Sequence, residues 1–134
     1  MSVIQLVYAS RLVGDESVLT SIHSHAVRNN TAHMITGHLL YANGRFLQVL
    51  EGEPKQVHQT FEHIKHDNRH QHVTLLLEQT IEERAFMHWN MGFRHLSADE
   101  LDQMPAYKAY FQDDFSAFKI QPQIALEILR HSCR

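Results

Sequence analysis

The stretch "NGRFLQVLEG", Asn43 to Gly52, decides how this chain is read. It follows "ITGHLLYA", residues 35–42, and the two together predict a β-hairpin turning at Asn43-Gly44. Asn-Gly is favoured where a two-residue hairpin needs positive φ at both positions. Strand side chains alternate, which places Phe46, Gln48 and Leu50 on one face and Leu47 and Val49 on the other. A strand apolar on both faces is a covered strand, and Gln48 interrupts it. A buried amide without partners costs about 1–3 kcal/mol. Backbone or water satisfies such a group in the ordinary case; a flat polar ligand is the other solution.

The flanking segments give the hairpin its context. Val3 to Ser10 reads as a first strand, with Ile4, Leu6 and Tyr8 on one face and Val3, Val7 and Ala9 on the other. A helix opening at Asp15 or Ser17 carries Val18, Ile22 and Ala26 at steps of four, then Asn29 or Asn30, so its inward stripe ends in amides. Gly52-Glu53-Pro54 starts a second helix, with Pro54 suited to its first turn and Val57, Phe61 and Ile64 as its buried stripe. Val73 to Glu78 predicts a fourth strand. Phe86 to Phe93, "FMHWNMGF", predicts a fifth, with Trp89, Met91 and Phe93 on one side.

The order β-α-β-β-α-β plus one strand predicts an α+β, ferredoxin-like fold: a mostly antiparallel sheet with two helices on one face. After Arg94 the chain changes character. Ser97 to Glu100, "SADE", is a capping box. Helical segments are expected at roughly 98–104, 106–115 and 122–132, covering the sheet's other face. The division expected is residues 1–95 as one unit and 96–134 as a C-terminal helical extension.

Tyr8, Asn29, Asn30 and Gln48 each have a structural reading alone: a core tyrosine with a bonded hydroxyl, helix-terminal amides, a satisfied glutamine. Jointly they predict a polar spot between the first helix and the sheet, suited to a hydrogen-bonding ligand.

The segments "LVYASR", "AVRNN", "ITGHLLYANGRFLQVLEG", "DNRHQHV" and "WNMGFR" stand in an order and spacing that resembles the BLUF family, blue-light sensors using FAD, along nearly all of residues 3–95. The resemblance implies a noncovalent FAD photoreceptor and assigns roles by position. Tyr8 matches the redox-active tyrosine that lends an electron and a proton to the excited flavin. Gln48 matches the glutamine between that tyrosine and the flavin. Asn30, with Asn29 beside it, matches the residue bonding the polar end of the ring, and Ile22 would pack against the ring. Lys65, Asp67 and Arg69 lie where the family contacts the ribityl and phosphate portion. Trp89 and Met91 match the fifth-strand pair linked to output. His38 departs from the apolar residue expected at its position.

Composition sets the outer bounds. The 134 residues fit one domain with a single core. Twelve Lys+Arg against fifteen Asp+Glu leave a net charge of -3, which argues against a nucleic-acid partner. No run of about 18 apolar residues exists to cross a membrane, no secretory signal is seen, and the lone Cys133 has no internal disulfide partner; a cytoplasmic protein is expected. His63, His66 and His70 have i,i+3 and i,i+4 spacing, but zinc needs three or four converging ligands, and a solvated helix face is the reading adopted. With only about forty residues after Arg94, output is expected through a downstream signalling protein or self-association as a homo-oligomer. A flavin-dependent oxidoreductase and a ligand-free interaction module are the rival readings.

Overall fold

The computed structural model describes residues 2–87, 91–112, 115, 118–119 and 121–132, with Ala106 described in its backbone alone. Five strands form one sheet: β1 (Val3–Leu12), β2 (Thr36–Ala42), β3 (Arg45–Gly52), β4 (His70–Ile81) and β5 (Gly92–Leu96), in the order β4-β1-β3-β2-β5. Pairing is antiparallel except between β2 and β5, which run parallel. A short 3-10 turn, Glu16–Val18, leads into α1 (Leu19–Ala32), and α2 (Pro54–Lys65) joins β3 to β4. The tail adds α3 (Ala98–Asp102), α4 (Pro105–Lys108) running into a 3-10 turn at Ala109–Phe111, and a C-terminal helix, Pro122–Ser132.

The hairpin forms as its turn residues dictate. Asn43 and Gly44 have φ of 51° and 76°, and Ala42 pairs with Arg45 across a two-residue loop. That turn fixes the register of the sheet's centre, so Gln48 lies opposite Leu39 on β2 and opposite Tyr8 on β1. Alternation then sorts the side chains into two cores. Leu6, Tyr8, Leu39, Phe46 and Leu50 pack with Leu19 and Ile22 of α1 and Val57 and Phe61 of α2. Val7, Ala9, Leu40, Leu47 and Val49 pack with Leu101, Phe111, Phe118, Leu126, Ile128 and Leu129 of the tail. The two-sided hydrophobicity of β3 therefore reflects two covering layers, as the sequence implies. Ser97 and Glu100 close the capping box reciprocally.

One element sits elsewhere than expected. The fifth strand begins at Gly92, opposite His38, instead of at Phe86. The Phe86 N–H is taken by the Glu51 carboxylate at 2.8 Å, and its ring packs in the tail-side core. Glu51 is fully buried and also accepts from Ala85 N–H at 3.0 Å and Gln5 Nε2 at 2.7 Å, while Arg84 donates to the Glu51 carbonyl at 3.1 Å. Residues 84–86 are thus a loop clamped to the end of β3, and their apolar letters serve a core, not a ladder.

Gly37 sits where a side chain has no room. A Cβ there would stand 1.9 Å from the Val49 carbonyl oxygen and 3.2 Å from Met91 Cε. Gly37→Ala is expected to destabilise the protein by about 1–3 kcal/mol or more through overpacking. An unchanged urea midpoint would contradict that close approach.

Candidate functional site

Tyr8 and Gln48 meet because register puts them opposite one another on the face that α1 and α2 cover. Both are buried, at 1% and 3% exposure. Burial, with the Asp67 carboxylate adding to it, drives the Tyr8 phenol far above its ordinary pKa, so it stays protonated and available as a donor. Its hydroxyl donates to Gln48 Oε1. That orientation turns the amide nitrogen the other way, where Nε2 donates to Met91 Sδ at 3.2 Å. Thioether sulfur is a weak acceptor, so the donor side of this amide is held less firmly than the acceptor side. His23 Nε2 lies 2.9 Å from the Met91 carbonyl oxygen and fixes the backbone there.

Beside this chain of bonds lies a cleft between the sheet and the two helices, about 570 Å³ including its open mouth. Its floor is Tyr8, Leu39 and Gln48; Ile22, Ala26, Asn29 and Asn30 of α1 form one wall. Asn29 Nδ2 bonds Thr60 Oγ1 at 3.0 Å and Asn30 Oδ1 at 3.2 Å, tying α1 to α2 at the polar end. At the mouth, Arg69 grips Asp67 at 2.6 Å and reaches Ser21 Oγ at 3.3 Å. Burial acts to raise the Asp67 carboxyl, but the Arg69 hydrogen bonds outweigh it and hold it below the usual range. The floor and walls thus offer apolar area for the faces of a flat ring, amides for its polar edge, and a guanidinium at the opening. That donor set fits a flavin.

The predicted residues Tyr8, Ile22, Asn29, Asn30, Gln48, Asp67 and Arg69 all line this one cleft, and Met91 touches its floor through Gln48. Lys65 does not line it: its ammonium pairs with Glu62 at 2.6 Å and lies 5.3 Å from the Phe61 ring centroid. Trp89 falls outside the described residues. His63 and His70 line the cleft, and no group of three or more potential metal ligands occurs among the described residues. His25 and Thr60 also line it and were not anticipated. Their signal was present, since Ile22, His25 and Asn29 recur at steps of three and four, as do Val57, Thr60, Phe61 and Ile64.

The comparisons with known proteins complete the picture. The sequence model described as "BLUF: Sensors of blue-light using FAD" matches residues 3–92. The chain belongs to the BLUF family. It is 38% identical over 68 residues, 51% of its length, to the photoactivated adenylate cyclase subunit beta of Euglena gracilis, covering 8% of that protein. It is 32% identical over 117 residues, 86% of its length, to the blue light- and temperature-regulated antirepressor BluF of Escherichia coli (strain K12), covering 28% of it. The chain therefore spans well under half of these relatives. Among solved structures, the photo-activated state of BlsA superposes with a TM-score of 0.76 at 26% identity, covering 96% of this chain and 94% of that one. This BLUF chain is accordingly built on a blue-light sensor fold of the flavin-binding type.

Two buried histidines make its stability depend on pH. His70, whose Nδ1 lies 2.9 Å from Ser10 Oγ, is pushed down to about 4, first by burial. His38 is likewise pushed down to about 4, by burial and then by the nearby Arg94 and His23. Between about pH 6.5 and about 4 the unfolded chain binds more protons at these sites than the folded one, so stability is present above 6.5 and is lost as pH falls. Each should contribute a loss of about 2 kcal/mol between pH 7 and pH 5. Urea titrations at the two pH values measure it, and equal midpoints would contradict neutral burial of both rings.

Proposed function

We propose that this chain is a blue-light photoreceptor that holds FAD noncovalently in the cleft and signals through a hydrogen-bond switch at Gln48. The observation that carries the reading is the buried sequence of donors Tyr8 O–H to Gln48 Oε1 and Gln48 Nε2 to Met91 Sδ. The flavin, when bound, supplies absorption of blue light and an excited state able to accept an electron from a nearby phenol.

The protein's part follows from the groups in place. Tyr8 would lend an electron and a proton to the excited flavin and recover both as the cycle closes; burial keeps that proton on in the dark. While Tyr8 lacks that proton it is an acceptor and repels Oε1, and the amide is driven to present its NH2 group instead. An amide has one acceptor end and one donor end, and exchanging them rewires every neighbour without moving the backbone. Met91 then loses its donor. Ile22 would pack the ring, Asn29 and Asn30 would hold its polar end, and Asp67 and Arg69 would hold the ribityl and phosphate portion. Lys65 would join them only by leaving Glu62. Trp89, with Met91, is assigned to output.

Residues 1–95 form the photosensor in this reading, and 96–134 the extension that passes the signal to a protein partner or to a change in self-association. The relatives named as a cyclase subunit and an antirepressor support an effector-regulating role. An oxidoreductase would need a substrate beside the reactive edge of the flavin, which in this reading Tyr8 and Gln48 would occupy. No substrate turns over in the switch itself.

Purified protein should be yellow, and blue light should move its visible absorption slightly to the red, reversing in darkness. Gln48→Leu and Tyr8→Phe, with flavin retained, should each abolish that displacement. A normal displacement in Gln48→Leu would sink the assignment of the switch. A colourless protein that gains no flavin on reconstitution would sink the photoreceptor reading itself.

A further inference from the structure

On the tail-facing side of β2, Leu40 and Ala42 are buried aliphatic positions and His38 is a third buried position, 3% exposed. An imidazole on that face needs a partner, and one lies at the end of the C-terminal helix. His38 Nε2 is 3.0 Å from Ser132 Oγ, and Ser132 Oγ donates its single proton to the Leu129 carbonyl at 3.0 Å. With its proton on the Leu129 carbonyl, the serine oxygen is free to accept a ring N–H from His38. The bond joins two residues 94 positions apart and lies at the last turn of a helix whose Ile128 and Leu129 are buried against the sheet.

His38 also stands next to the switch. It pairs with Gly92 across the parallel β2–β5 ladder, and Gly92 directly follows Met91, the residue that receives the Gln48 donor. Gly37, its chain neighbour, leaves 3.2 Å between Met91 Cε and the position of a Cβ, with the Val49 carbonyl on the same side. The Met91 thioether thus lies over β2 at the residue before His38. Beyond the joint there is room. Ser132 and Ile128 border a second cavity, shared with Arg94, Leu96 and Tyr107.

We propose that the His38–Ser132 hydrogen bond is the joint through which rearrangement at Gln48 and Met91 repositions the C-terminal helix, an inference that rests on the photoreceptor reading above. His38 is then a positioning residue, acting on the helix without touching the flavin. Burial keeps the ring neutral at pH 7, so the joint is a bond between uncharged groups that breaks by geometry. A purely structural His38 would add stability equally in light and dark. A joint makes its contribution depend on illumination.

The test is amide hydrogen exchange across residues 122–132 in the flavin-loaded full chain, in darkness and under blue light, for wild type, His38→Leu, Ser132→Ala and the double variant. The visible spectrum of each sample is recorded alongside. The red displacement should persist in all four. The light-minus-dark exchange difference at 122–132 should be present in wild type and fall about five-fold in each single variant, the equilibrium worth of one hydrogen bond. The double variant should lose no more than the singles, because the two side chains act as one unit. Ser132→Ala, at the helix end, guards against misfolding in His38→Leu. A wild-type difference that survives in Ser132→Ala overturns the joint. So does a wild type that changes colour without any exchange difference at 122–132, which leaves the photoreceptor reading standing. A wild type without a light-driven spectral change overturns both.

Discussion

A side-chain amide buried on the central strand of a five-stranded sheet must have its acceptor and its donor met from within. At Gln48 the acceptor end is met by Tyr8, whose proton burial retains, and the donor end by the sulfur of Met91. The two partners differ in kind. A protonated phenol is a firm donor, and a thioether is an adaptable, weak acceptor. An amide held between unequal partners is poised to change which it serves when the stronger one loses its proton. Leucine in its place would pack equally well and have nothing to exchange.

The two-layer covering of the sheet makes that local event useful. The same β3 that presents Gln48 to the α1/α2 side presents Leu47 and Val49 to the tail, so the proposed switch and the tail share a backbone. β5 closes the circuit. Gly92 follows Met91, which receives the Gln48 amide, and pairs with His38, so β5 links that amide to the strand that contacts the C-terminal helix. Glu51 adds rigidity at the opposite end of β3, where its carboxylate clamps the loop at residues 84–86 that leads toward Met91. A change of one or two hydrogen bonds, about 1–3 kcal/mol, is enough to shift a two-state helix contact and too little to unfold one.

Much of this was written plainly in the sequence. Asn43-Gly44 announced its turn, the turn set the register, and alternation brought Tyr8 and Gln48 onto one face. The amides at Asn29 and Asn30 and the pair Asp67 and Arg69 were legible from helix periodicity and family resemblance, and the cleft gathers them. The rest was hidden for physical reasons. "FMHWNMGF" alternates like a strand, yet Phe86 gives its N–H to Glu51, a tertiary contact that no local pattern signals. Glu51 is buried at the end of β3, where Gln5 and the returning loop at residues 85–86 bond its carboxylate. The resemblance puts Lys65 with the ribityl and phosphate contacts, but its partner in this structure is Glu62. The short tail helices depend on packing against the sheet, so their limits were legible only approximately.

The central claim is that the Gln48 amide exchanges its hydrogen-bond partners under light, and infrared difference spectroscopy reads an amide directly. Protein labelled with carbon-13 and nitrogen-15 in its glutamine side chains, loaded with flavin, would be compared with unlabelled protein in light-minus-dark spectra. The account predicts a label-sensitive carbonyl band that shifts on illumination and is absent from Gln48→Leu. A visible red displacement without any label-sensitive band would contradict it.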